Sequence, residues 1–192
     1  HVVRSVLSYL DGISLVRVED GRGRLLDEGR RLLGEVRGLF DLTYAYEPLL
    51  SELGGMMTGE RAFGDDLGRR IEYVGRGSGL LCRDLPYPVM ADMISRHGCR
   101  RVLDLGCGDL ALLVFLCERL PEITGIGIDI DPDMVAYSRG LLEGHPFAER
   151  IEVAEADLCD LGELKASGRL DTVDCITAVD TFHEYLWTGA DE

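Results

Sequence analysis

The chain has 192 residues, is 46% hydrophobic and 29% charged, and carries a net charge of −15. This is the composition of a soluble globular protein; no apolar run reaches the roughly 18 residues that a membrane span takes, and "HVVRSVLSYL" does not read as a signal peptide. Residues 101–192 hold 20 of the 35 acidic residues but 6 of the 20 basic ones, a surplus that repels DNA or RNA.

In chain order, residues 1 to about 80 read as a helical N-terminal segment, a cap or a dimerisation unit. "GRGRLLDEGRRLLGEVRGLFDL" spaces its leucines, Val36 and Phe40 for one helix face. "EPLLSELGGMM" suggests a break near Gly54 and Gly55, and "GRGSG" at 75–79 reads as a hinge. Tyr73, Arg76 and this hinge are candidates to close over a ligand, or are a plain linker. Pro86 and Pro88 precede a helix expected from about Val89 to His97.

From residue 81 the second unit begins, and from Arg101 strands alternate with helices. The strands are "RVLDLG", "ITGIGIDI", "IEVAEAD" and "DTVDCITAV"; the helices are "LALLVFLCERL", "DPDMVAYSRGLLEG" with Asp131 as N-cap, and a short "LGELKAS". Apolar strands alternating with helices predict an α/β fold, a Rossmann-like parallel sheet covered on both faces. Such sheets bind ligands beyond the carboxyl ends of their strands. The six cysteines form no C-x-x-C pair, which argues against a zinc knuckle and for a reducing, cytoplasmic setting.

The first strand runs into Asp104, Gly106 and Gly108 in "VLDLGCGDL". Glycines at a strand end admit a ligand close to the backbone. "GCGDLA" fits the dinucleotide pattern, with Asp129 about 20 residues on, so an NAD(P)-binding oxidoreductase fragment is one reading. Against it, Asp104 and Asp109 place negative charge where a pyrophosphate would sit. Three successive strands end in acids, Asp104, Asp129 and Asp157. A ligand with an ammonium, a ribose diol and an adenine would use all three, and S-adenosylmethionine is that ligand.

The stretch from about Arg101 to Tyr185 resembles the first half of a class I S-adenosylmethionine-dependent methyltransferase. "VLDLGCGDL", "GIGIDIDPDMVAYSR", "IEVAEADLCD" and "VDCITAVDTFHEYL" resemble its four leading motifs in order. Leu110 departs from the pattern, standing where many members have a third glycine. The resemblance implies that Asp104, Gly106 and Gly108 line the methionine end of the cofactor. It assigns Asp129 to the ribose hydroxyls, Ile130 to the adenine, and Asp157 and Leu158 to the adenine edge and face, with backbone near Val179 closing the site.

On the acceptor side, His183 and Glu184 follow the fourth strand. His183 is a candidate general base, or a divalent-metal ligand with Glu184 beside it. The helical segment and "FHEYL" resemble bacterial natural-product methyltransferases, most of all the α-keto acid C-methyltransferases of the 2-ketoarginine type. That resemblance implies a metal ion stabilising a keto-acid enolate. Methyl transfer to oxygen or nitrogen of a small-molecule acceptor stands beside it, and a non-catalytic methyltransferase-like partner is a third reading. No nucleic acid or membrane partner is expected.

The resemblance implies seven strands, of which four are legible, and 13 residues follow Val179. The C-terminal half is therefore expected to be absent. A homodimer, or another segment completing the sheet, is expected to cover the fourth strand.

Overall fold

The computed structural model describes residues 1–64 and 66–182. The N-terminal segment opens with helix α1 (Val2–Gly12) and a hairpin of β1 (Val16–Glu19) and β2 (Arg22–Leu25). The strands pair antiparallel, Val16 opposite Leu25 and Glu19 opposite Arg22. The reading of this stretch as wholly helical therefore needs correction. Asp20 and Gly21 both take positive φ, 50° and 72°, and so close a two-residue turn whose twist matches the strands.

Helix α2 (Asp27–Ser51) follows, then α3 (Leu53–Thr58), α4 (Ile71–Cys82) and α5 (Pro86–His97). The break between α2 and α3 falls at Glu52, so Gly54 and Gly55 lie inside α3. Helix α5 begins three residues before the expected Val89, because Pro86 and Pro88 both fall in a first turn, where no intrahelical N–H is needed.

The expected hinge at 75–79 is instead the middle of α4. Its glycines serve close packing on two sides. A Cβ on Gly77 would lie 2.9 Å from the Gly38 carbonyl oxygen of α2, and one on Gly79 would lie 2.6 Å from Ala111 Cβ. Tyr73 and Arg76 likewise fasten α4 to α2 and do not line the cavity described below. Arg76 donates to both carboxylate oxygens of Asp41 at 2.8 and 2.9 Å, and Tyr73 meets Tyr44 edge to face at 4.7 Å.

The remaining elements alternate as expected: β3 (Arg101–Leu105), α6 (Ala111–Arg119), β4 (Thr124–Asp129), α7 (Pro132–Leu142), β5 (Ile151–Glu155), α8 (Gly162–Ala166) and β6 (Cys175–Ala178). The sheet is parallel, ordered β5-β4-β3-β6. In register, Asp104 lies between Gly127 of β4 and Thr177 of β6. Alternation along β3 divides the core. Val102 joins Tyr87, Ile94, Leu113 and Phe115 on the α5–α6 face, and Leu103 and Leu105 join Ile126, Ile128 and Leu164 on the α8 face.

Candidate cofactor site

A cavity of about 250 Å³ opens at the carboxyl ends of β3, β4 and β6, near the lower end of the range for small-molecule sites. Its floor is the turn after β3. Gly106 and Gly108 take φ values of 66° and 50°, which glycine adopts without penalty. A Cβ on Gly106 would lie 2.5 Å from the Thr181 side chain. Thr181 in turn donates its hydroxyl to the carbonyls of Leu105 and Val179 at 2.9 and 3.0 Å. Ser138, fully buried on α7, donates to the Gly108 carbonyl at 2.5 Å and ties the turn to that helix.

Asp129 organises the turn from the neighbouring strand. Its Oδ2 accepts the Gly108 N–H at 3.1 Å, and its Oδ1 accepts the Asp131 N–H at 3.1 Å. A carboxylate has about four lone-pair sites, so each oxygen keeps one for a further donor. Asp131 caps α7 as expected, accepting from the N–H groups of Asp133 and Met134.

Six of the eight cofactor residues expected from the sequence line this cavity: Gly106, Gly108, Asp129, Ile130, Leu158 and Val179. Two do not. Asp104 lies beneath it, only 3% exposed, where Thr177 Oγ1 donates to its Oδ1 at 2.7 Å. Burial pushes its carboxyl up to about 7; the Thr177 bond opposes the shift and the nearby Asp129 charge adds to it. Asp157 stands at the end of β5 but turns its carboxylate back to accept the Cys159 N–H at 2.9 Å, the geometry of a local turn. His183 and Glu184 lie outside the described residues. Among those described, no group of three metal-ligating side chains comes together.

The rest of the wall came from residues that carry no motif. Helix α4 contributes Gly75, Ser78 and Gly79, α5 contributes Tyr87, and Arg69 stands just before α4. Close contact is the reason α4 reaches the site: a Cβ on Gly75 would lie 3.2 Å from the Asp109 backbone nitrogen. The small-residue spacing of Gly75 and Gly79, one helical turn apart, was the signal that could have shown it.

The wall is acidic. Among the described residues Asp109, Asp129, Asp131 and Asp180 line it, against one basic side chain, that of Arg69. Asp109 Oδ1 accepts the Ala111 N–H at 3.2 Å, so a carboxylate sits just before α6 and meets its first N–H. The N–H groups of Cys107, Gly108 and Leu110 are also taken, by Ile128, Asp129 and Cys107. A dinucleotide pyrophosphate needs such a helix start open and positive, and here it is capped by negative charge. A cationic, diol-bearing ligand suits the same wall.

Residues 102–191 match the family described as a methyltransferase domain. The tRNA1(Val) (adenine(37)-N6)-methyltransferase of Yersinia pestis (strain Pestoides F) is 32% identical over 65 residues, 33% of this chain and 26% of that protein. Among solved structures, an O-methyltransferase family protein from Burkholderia thailandensis is similar with a TM-score of 0.50 at 21% identity, covering 85% of this chain and 52% of that one. PigF with SAH is similar with a TM-score of 0.52 at 22% identity, covering 81% and 52%. The chain thus spans about half the length of these structures and about a quarter of that curated relative. Residues 102–191 thus match a methyltransferase-domain family, and the parallel sheet β5-β4-β3-β6 has the fold of the methyltransferase structures it resembles.

Proposed function

We propose that the protein binds S-adenosylmethionine in this cavity and transfers its methyl group to a small-molecule acceptor. The observation that carries the reading is Asp109, whose carboxylate caps the start of α6 where a dinucleotide would need an anion site. The bound cofactor supplies an electrophilic methyl group on a sulfonium centre. The chain's own residues bind and orient it. Asp129 offers its two unused lone pairs to the ribose diol, Ile130 and Leu158 supply apolar surface for the adenine, and Asp109 and Asp180 meet the cationic amino-acid end.

The choice of a small acceptor rests on charge. The curated relative is named for a tRNA adenine, but it matches 65 residues of this chain, and residues 101–192, which supply most of the cavity wall, have a large acidic surplus. A polyanion gains nothing from approaching that surface. The metal-assisted α-keto acid chemistry expected from His183 and Glu184 rests on residues outside the described ones.

Calorimetric titration with S-adenosylhomocysteine and with NADH tests the cofactor. Binding of the first and not the second is expected; the reverse overturns the proposal. Incubation with tritium-labelled cofactor, bulk tRNA and a small-molecule extract tests the acceptor. Label is expected in the extract, and label in the tRNA would overturn the small-molecule reading.

A further inference from the structure

The cofactor proposed above is a zwitterion at its methionine end, and the cavity is built mainly for one half of it. Asp109 and Asp180 suit the ammonium and the sulfonium. The carboxylate, placed among the same acids, needs a donor that is not itself an acid. Arg69 is the only basic side chain among the described lining residues, but it stands at the other end. It lines, with Asp131 and Ile71, a second, adjoining cavity. There it donates to the Tyr46 hydroxyl at 3.1 Å and lies over the Phe63 ring.

Three hydroxyls line the cavity among the described residues: Ser78, Tyr87 and Thr181. Thr181 spends its proton on backbone carbonyls. Tyr87 is 5% exposed, and its ring is fixed by packing on Phe115, centroids 5.6 Å apart. Yet its hydroxyl makes no hydrogen bond among the described residues. Buried phenolic hydroxyls ordinarily find a partner, so a phenol on the cavity wall with none among the described residues suits a ligand acceptor.

The geometry points to Tyr87 as the donor that holds the methionine carboxylate of the cofactor, a binding role that falls outside the glycine and aspartate motifs. Three features fit. Tyr87 belongs to α5, which packs against α6, and it lines the cavity together with Asp109 and Asp180, the residues assigned above to the methionine end. Burial, with the charges of Asp104, Asp109 and Asp180 around it, holds the phenol well above its ordinary range. It is therefore a donor throughout the physiological range. Cys82, at the end of α4, is occupied, its Sγ 3.6 Å from Asp180 Oδ2. This inference rests on the S-adenosylmethionine reading of the cavity.

The test crosses one substitution with two ligands, using the full chain and calorimetry. S-adenosylhomocysteine carries the carboxylate; 5′-methylthioadenosine lacks the whole amino-acid arm. Tyr87→Phe keeps the ring against Phe115 and removes only the hydroxyl. The expected result is about a tenfold loss of affinity for S-adenosylhomocysteine, as for one hydrogen bond to a charged group, with affinity for 5′-methylthioadenosine unchanged. Equal losses for both ligands would make Tyr87 a packing residue and overturn the inference, as would no loss for either. If the wild-type chain binds neither ligand, the cofactor reading itself fails and this inference falls with it.

Discussion

Gly108 and Asp129, 21 residues apart, are joined by a hydrogen bond of 3.1 Å from the glycine N–H to the aspartate Oδ2. One carboxylate therefore holds the glycine turn and faces the cavity. Because the Asp131 N–H fixes its other oxygen, the side chain is oriented before any ligand arrives. Such preorganisation removes ordering cost from binding.

Asp129→Asn should weaken S-adenosylhomocysteine binding by about 1.5–3 kcal/mol, the range for hydrogen bonds to a charged group. The amide has one accepting oxygen where two backbone N–H groups and a ribose diol compete. Its NH₂ would also face a donor. Calorimetry decides: unchanged affinity would mean that the diol lies elsewhere.

The sheet was legible because its strands are apolar runs ended by an acid or glycine, and β3, β4 and β5 are each followed by a helix, the punctuation a parallel sheet needs. Ile130, Leu158 and Val179 came from the resemblance to class I methyltransferases, and each lies just past a strand end on the cavity wall. The hairpin at 16–25 carried its own signal, Asp20-Gly21 between apolar alternations, but neighbouring leucines at helical spacing outweighed it. Asp104 was placed at the right end of the right strand, but its orientation depends on Thr177 of a strand 73 residues away. Tyr87 carried no sequence signal, because a helix contributes to a site through packing and not through a motif. The glycines of α4 suggested flexibility, when their two-sided spacing served close contact.

The packing role of α4 predicts opposite effects from one substitution at two positions. Gly79→Ala adds a Cβ 2.6 Å from Ala111 Cβ and 3.0 Å from Asp109 Oδ1. It should destabilise by about 1–3 kcal/mol through overpacking, more than the roughly 1 kcal/mol that helix propensity returns. Gly34→Ala, on α2 with nothing within 4 Å, should stabilise by about 0.5–1 kcal/mol. Urea unfolding of both variants checks the pair; stabilisation by Gly79→Ala would show that α4 does not pack closely on α6.

Asp104 predicts a pH dependence. Its carboxyl is raised from 3.8 to about 7, chiefly by burial. Between those values the folded chain keeps a proton that the unfolded chain has released. Asp104 therefore subtracts stability as pH rises through that window, by at most about 1.4 kcal/mol per unit, and levels off above it. Asp104→Asn mimics the protonated acid and still accepts from Thr177, so its unfolding free energy should gain on wild type as pH rises from about 4 to about 7. Parallel pH profiles for the two proteins would show that Asp104 does not titrate in that window.

Leu110 offers the sharpest test of the turn, because two ordinary rules conflict there. It precedes α6 with φ 65° and ψ 14°, in the left-handed region, and its side chain is fully buried. A non-glycine residue in that conformation costs roughly 1–2 kcal/mol, whereas burying a leucine in a core is worth about 2–5 kcal/mol relative to alanine. Leucine is tolerated where glycine would relax the backbone because the second figure exceeds the first. Both Leu110→Ala and Leu110→Gly should therefore destabilise, but in an unusual order. At a regular helical position alanine is better than glycine by about 1 kcal/mol. At this position alanine keeps the backbone strain and glycine relieves it, so the glycine variant should be the more stable of the two by about 1 kcal/mol. Urea unfolding with a common slope measures the difference directly. An alanine variant equal to or more stable than the glycine variant would show that residue 110 does not hold the left-handed conformation, and would reopen how the turn presents Gly108 to Asp129.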